Sequence, residues 1–243
     1  MNNTLSNGFR LLELLSQDGG EYGVTELAAL AGLPPSHVCR LLKTLVQTGY
    51  LEQRAPSRKY QVSLKLLELS QARLGNLDLR RHGHAFAVEL GQQLQAPVFL
   101  SAPCQGRSIV VDVTWPVGAE GDLMLVVGQV HSIRHSACGK VCAAFVSDEE
   151  RALLDGALAQ ETPPFSRKAW EADLAGIRAT GLAVRREDGL VAAAAPIFRA
   201  GGIFCGAIGT FYSEAVELPR EAEEGIRRTA RAISFALGQP VSR

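Results

Sequence analysis

The chain has 243 residues, 47% of them hydrophobic, with 25 basic and 25 acidic side chains that cancel. That composition builds a packed core and excludes a disordered chain. No apolar run nears the ~18–20 residues of a membrane span, and the start lacks the marks of a secretory signal, so the expectation is a soluble, cytoplasmic protein with no membrane partner.

In chain order, Phe9, Leu11, Leu12, Leu14 and Leu15 recur at helical spacing and predict a first helix over about 5–16. The DGGEYG stretch breaks it. Thr25 reads as the N-cap of a second helix with Glu26 in its first turn and Leu27, Leu30 and Ala31 facing inward. Gly32 ends that helix, and Pro34 and Pro35 open a third. There Val38, Leu41, Leu42, Leu45 and Val46 fall at i, i+3, i+4, i+7 and i+8 as one apolar stripe, while Ser36, His37, Cys39, Arg40, Lys43, Thr44 and Gln47 take the other face. Two short helices joined by a glycine turn, the second exposing such side chains, are the parts of a helix-turn-helix. Gly49 stops the third helix, and YLEQR and KYQVS read as strands joined through Ala55, Pro56 and Ser57.

Charge supports this reading. Residues 36–65 carry Arg40, Lys43, Arg54, Arg58, Lys59 and Lys65 against Glu52 alone. A locally basic segment in a neutral chain suits a DNA contact confined to one small module. Arg40 and Lys43 are the candidates for phosphate or guanine, and Ser36, His37 and Thr44 for base edges. Arg54, Arg58 and Lys59 would touch phosphates from the hairpin, a wing, and Thr25 completes the candidate DNA-binding set.

Residues 63–75, with Leu64, Leu67 and Leu74, read as a linker helix able to pair with a partner chain, and 76–95 as another helix. Strands are expected at 97–102, 106–113 and 123–128. Ser147 and Glu150 form a capping box, and a further helix runs from Ser166 to Gly181. Strands near 182–186, 190–198 and 203–212 precede a last helix over about 219–237. Helices and strands mix without regular βαβ alternation, which is an α+β pattern.

No nucleophile elbow, phosphate loop, HExxH or paired CxxC motif occurs. No catalytic residue, enzyme activity or cofactor is therefore expected. His131, His135, Cys138 and Cys142 would share one face if they lay on a single helix and could then ligate a soft metal. Ser132 and Ile133 favour strand or loop before the helix, and the cysteines read as small buried residues, so no metal is expected. The five cysteines fit a reducing compartment rather than a disulfide framework. Two other readings stay open: a metabolite-dependent enzyme with a regulatory winged helix, and a protein-interaction module that uses the winged helix without DNA.

The segments LLELLS, VTELAALAGLPPSHVCRLLKTLVQTGYLE, KYQVSLKLLELSQARL, LDLRRHGHAFAVELGQQLQAPVFLS, RHSACGKVCAAF, GLAVRREDGLVAAAAPIF and GGIFCGAIGTF, in this order, resemble the IclR family of bacterial transcriptional regulators. The resemblance implies a winged helix-turn-helix over 1–62, the linker helix over 63–75, and a GAF-like effector-binding and oligomerisation domain over 76–243. It implies homodimers or tetramers on pseudo-palindromic, double-stranded promoter DNA, and a small-molecule effector. By the same resemblance His135, Ala137, Cys138, Gly139 and Lys140 line or border the effector pocket, and Asp188 lies near an acidic pocket residue. Ala192 stands where acid-binding members carry cysteine, and Gly209 and Phe211 where they offer two serines. The missing hydroxyls and thiol imply an aromatic or weakly polar effector rather than a two- or three-carbon keto acid.

Overall fold

Two units, residues 1–75 and 76–243, make up the computed structural model, which describes residues 3–17, 19–117, 125–159, 166–187, 189–213 and 217–240. The first unit runs α1 (Asn3–Gln17), α2 (Val24–Ala31), α3 (Pro35–Gln47), β1 (Leu51–Gln53), β2 (Tyr60–Val62) and α4 (Lys65–Gly75). Most of the predicted stripes supply its core: Leu11, Leu15, Leu27, Val38 and Leu42 are wholly buried, with Leu51 and Tyr60 of the hairpin closing one side, whereas Phe9 and Leu30, the latter expected to face inward, are exposed. Each such side chain stabilises the fold by about 1.5–3 kcal/mol. Gly32 ends α2 in the left-handed region at φ +64°, where a side chain would be strained. The cap of α2 differs from expectation. Gly23, not Thr25, is its N-cap residue, because the Glu26 carboxylate accepts the Gly23 N–H at 2.6 Å and leaves Thr25 exposed in the first turn. β1 and β2 pair antiparallel, Leu51 opposite Val62 and Gln53 opposite Tyr60. α4 buries none of its residues.

The second unit runs α5 (Asp78–Leu94), β3 (Val98–Cys104), β4 (Arg107–Thr114), β5 (Val130–His131), α6 (Ala137–Phe145), α7 (Asp148–Leu158), α8 (Arg167–Thr180), β6 (Ala183–Glu187), β7 (Leu190–Arg199), β8 (Ile203–Ser213) and α9 (Arg220–Ala236). Its strands form one antiparallel sheet in the order β5-β4-β3-β8-β7-β6. α5 and α9 pack together against it, and α6 packs against it with α8 alongside. Leu100 points toward Gly83 of α5, leaving no room for a side chain there. Phe99 belongs instead to the cluster around α6, as strand alternation requires. The capping box forms as read, with Ser147 and Glu150 bonded reciprocally, and Ser166 accepts the Ala169 N–H. The strand expected at 123–128 is displaced: residues 125–128 are not strand, 123 and 124 lie outside the described residues, and the edge strand is Val130–His131.

Candidate DNA interface and effector cavity

α3 turns Val38, Leu41 and Leu42 inward and leaves Ser36, Arg40, Lys43 and Thr44 exposed. His37 is half-buried, with ring nitrogens 3.3 Å from the Asn7 amide nitrogen and 3.4 Å from Arg40. The Thr44 hydroxyl donates to the Arg40 carbonyl. Arg54 pairs with Glu21 at 3.5 Å and Lys59 with Glu26 at 3.5 Å, so two wing cations are partly neutralised within the unit. The Gly23 N–H, and then Lys59, hold the Glu26 carboxyl below its ordinary range. Among the described residues, no carboxylate lies within ion-pairing distance of Arg40, Lys43 or Arg58. An apolar inner face under an outer face of long cations and hydroxyls is chemistry for phosphates and base edges.

In the second unit a cavity of about 210 Å³ opens between the sheet and the start of α6. Its apolar wall is Phe99 of β3, Ala192 and Leu190 of β7, Phe211 of β8 and Leu125. Cross-strand pairing explains why these meet: Phe99 lies opposite Gly209, and Ala192 opposite Phe211, and opposed residues share a face. Gly209 makes the floor. A Cβ there would lie 2.8 Å from the Phe99 ring and 3.0 Å from the Cys138 sulfur, so only glycine leaves this space open. The polar wall is Gln129, His131, His135, Ser136 and Arg185, beside Ala137 and Cys138 in the first turn of α6. Ser136 caps α6 by accepting the Gly139 N–H at 2.9 Å and donates to the Ser132 carbonyl. Among the described residues, His131 Nδ1 and His135 Nε2 are buried without a hydrogen-bond partner. Burial pushes the His131 pKa down, so its imidazole is neutral near pH 7 and able to bond an uncharged group.

Of the residues marked in the sequence, His135, Ala137, Cys138, Ala192 and Phe211 line this cavity and Gly209 underlies it. Gly139 instead allows close packing, since its Cβ would come within 2.7 Å of the Ile133 backbone. Lys140 turns away to pair with Asp173 at 2.8 Å. Asp188 lies outside the described residues. Sequence reasoning missed Phe99, Leu125, Gln129, Ser136, Arg185 and Leu190, and considered His131 only as a metal ligand. The signal for Arg185 was strand alternation, which puts it on the buried face of Ala183. The histidines and cysteines are divided among β5, a loop and α6, and the described residues hold no group of three or more His, Cys, Asp or Glu suited to a metal. Burial pushes the Cys138 and Cys142 thiols up to about 12, which disfavours the thiolate a metal would need. A larger space of about 460 Å³ along α9 gathers none of the residues marked in the sequence.

Residues 4–55 match the IclR helix-turn-helix domain, and residues 71–235 the C-terminal domain of the bacterial transcriptional regulator IclR. The chain belongs to the IclR family. Its two units therefore take the family's two roles, a DNA-binding helix-turn-helix and an effector domain, and this IclR-family protein is a transcriptional regulator rather than an enzyme. It is 26% identical to the regulator XynR of Escherichia coli K12, with 98% of each chain covered. An IclR-family regulator from Brucella abortus shares the fold at a TM-score of 0.81 and 24% identity, over 97% of this chain and 92% of that one. An IclR homologue from Microbacterium hydrocarbonoxydans, crystallised with 4-hydroxybenzoate, shares it at a TM-score of 0.77 and 19% identity, over 97% and 99%. No described helix is long and apolar enough to cross a membrane.

Proposed function

We propose that this protein is a ligand-responsive regulator that binds pseudo-palindromic promoter DNA as a homodimer or tetramer and takes a single-ring aromatic, weakly polar effector into the 210 Å³ cavity. In the first unit, Arg40 and Lys43 contact phosphate or guanine, Ser36, His37 and Thr44 face base edges, and Thr25, Arg54, Arg58 and Lys59 hold the backbone. Two copies then set two α3 helices in successive major grooves. The exposed leucines at the linker, Leu64 at 80% and Leu67 at 54% exposure, support contact with a second chain, because paired chains would cover them.

The cavity carries the effector assignment. Phe99 and Phe211 stand with ring centroids 6.3 Å apart over a floor kept open by Gly209, and the His131 and His135 rings stand in the polar wall beside them. The volume lies below the ~300–1,000 Å³ of sites for drug-sized molecules, which suits one ring. A two- or three-carbon keto acid would leave the phenylalanine faces uncovered. That a protein of the same fold was crystallised with 4-hydroxybenzoate makes this compound the first to try. Calorimetric titration tests the reading: 4-hydroxybenzoate should bind at least about tenfold more tightly than pyruvate or glyoxylate. Preference for the small keto acids overturns it. Selection of bound fragments from the source genome would supply the operator, and no retained fragment would refute the DNA assignment.

A further inference from the structure

The outer face of α3 meets α1 at His37. This residue is half-buried, with its Nε2 3.3 Å from the Asn7 amide and its Nδ1 3.4 Å from a guanidinium nitrogen of Arg40. We propose that Asn7 and His37 are positioning residues that aim the Arg40 guanidinium, so that Arg40 reads a guanine rather than a phosphate. This inference rests on the DNA-binding reading of α3 and narrows the role of Arg40 within it.

Donor chemistry fixes the direction of each bond. A guanidinium can only donate, so His37 Nδ1 accepts from Arg40. A neutral imidazole that accepts at Nδ1 carries its proton at Nε2 and donates there. The group facing Nε2 must then accept, so Asn7 turns its amide over and presents the oxygen. Arg40 thus donates to His37, and His37 donates to Asn7. A protonated ring would set an N–H against the guanidinium and break the first link.

The surroundings suit this task. His37 and Arg40 stand three residues apart on α3, where helical spacing makes them neighbours. The wing cations Arg54 and Lys59 pair with Glu21 and Glu26, whereas among the described residues no carboxylate lies within ion-pairing distance of Arg40 to pull it elsewhere. A guanidinium has five N–H donors, so one spent on His37 leaves enough for both acceptors of a guanine. A phosphate accepts a loose arginine from many directions, but the guanine edge needs the fork held in one plane. Holding it before DNA arrives lowers the ordering cost of that contact. His37, engaged at both ring nitrogens, serves base recognition through Arg40.

Two measurements on the full chain test this. Long-range proton–nitrogen correlation spectra at mildly alkaline pH read the tautomer of His37, whose signals among the five histidines are identified by their loss in His37→Gln. The proton should sit on Nε2, and a proton on Nδ1 overturns the relay; this result needs no DNA and no Asn7 variant. An operator fragment selected from the source genome and a random-sequence duplex of equal length are then titrated with wild type, Asn7→Ala, Arg40→Ala and the double variant. Asn7→Ala should weaken operator binding about fivefold, or about 1 kcal/mol, and leave the random duplex within about twofold, because a loosened arginine still meets phosphates. Added to Arg40→Ala, it should change neither. Unchanged operator affinity, equal loss on both duplexes, or the same loss without Arg40 overturns the positioning role. Neither duplex bound by any of the four proteins refutes the DNA-binding reading of α3, and this inference with it.

Discussion

The two units reach function by different routes. The proposed recognition face is one stretch of chain: thirteen residues of α3 carry both the apolar stripe that seats the helix and the cations and hydroxyls it presents. The proposed effector cavity is assembled from β3, β5, β6, β7, β8 and the start of α6, with the loop ahead of β5. A surface built on one helix survives as long as that helix is docked. A cavity built from six elements depends on every strand register, and single atoms added to its floor are felt.

This contrast can be broken or sharpened by substitution. Leu42 is wholly buried in the first unit, so Leu42→Ala should cost about 2–5 kcal/mol by the loss of packing and the cavity left behind. Urea unfolding should show the first unit melting early while effector binding by the second persists. Simultaneous loss of both would mean the units do not fold separately. Replacing Arg40 and Lys43 together by alanine should leave the melting profile in place and weaken operator binding by about two orders of magnitude. The slope of log affinity against log salt should shrink by about 1 for each of the two that meets a phosphate rather than a guanine.

Gly209→Ala should strike the opposite unit. Its Cβ meets Phe99 and Cys138 and comes within 3.2 Å of the Ala193 carbonyl, a strain of about 1–3 kcal/mol. Aromatic ligands should bind more weakly, while operator affinity measured without effector stays unchanged. Smallest is Ser166→Ala, which removes the hydroxyl that caps α8 and should lower the stability of the second unit by about 1 kcal/mol. A melt that does not move would show that α8 draws its stability from Trp170, Leu174 and Ile177 instead.

Legibility in the sequence follows the same division. Periodicity and turn chemistry are local, so α3, the glycine stop at Gly32 and the caps at Ser147 and Ser166 were readable from spacing alone. The miss at α2 came from a side chain adjacent to the expected cap. Thr25 offers a hydroxyl, but Glu26 reaches back to the Gly23 N–H and sets the cap there. The misplaced strand arose because Leu123 through Val127 is an unbroken apolar run, whereas the pairing with β4 is made by Val130 and His131. Ala192, Gly209 and Phe211 were marked through family resemblance. Phe99 and Arg185 were not, because nothing local says that β3 pairs with β8 or that the face of Ala183 ends at a cavity.

The proposed regulator requires that an aromatic occupant of the second unit alter DNA binding by the first. Fluorescence anisotropy of a labelled operator fragment, titrated with the protein at saturating 4-hydroxybenzoate and without it, measures that coupling directly. The operator dissociation constant should change by at least about fivefold, the lower end of typical coupling between sites, and pyruvate should leave it alone. An operator affinity indifferent to the aromatic acid, with the acid bound, would contradict the claim.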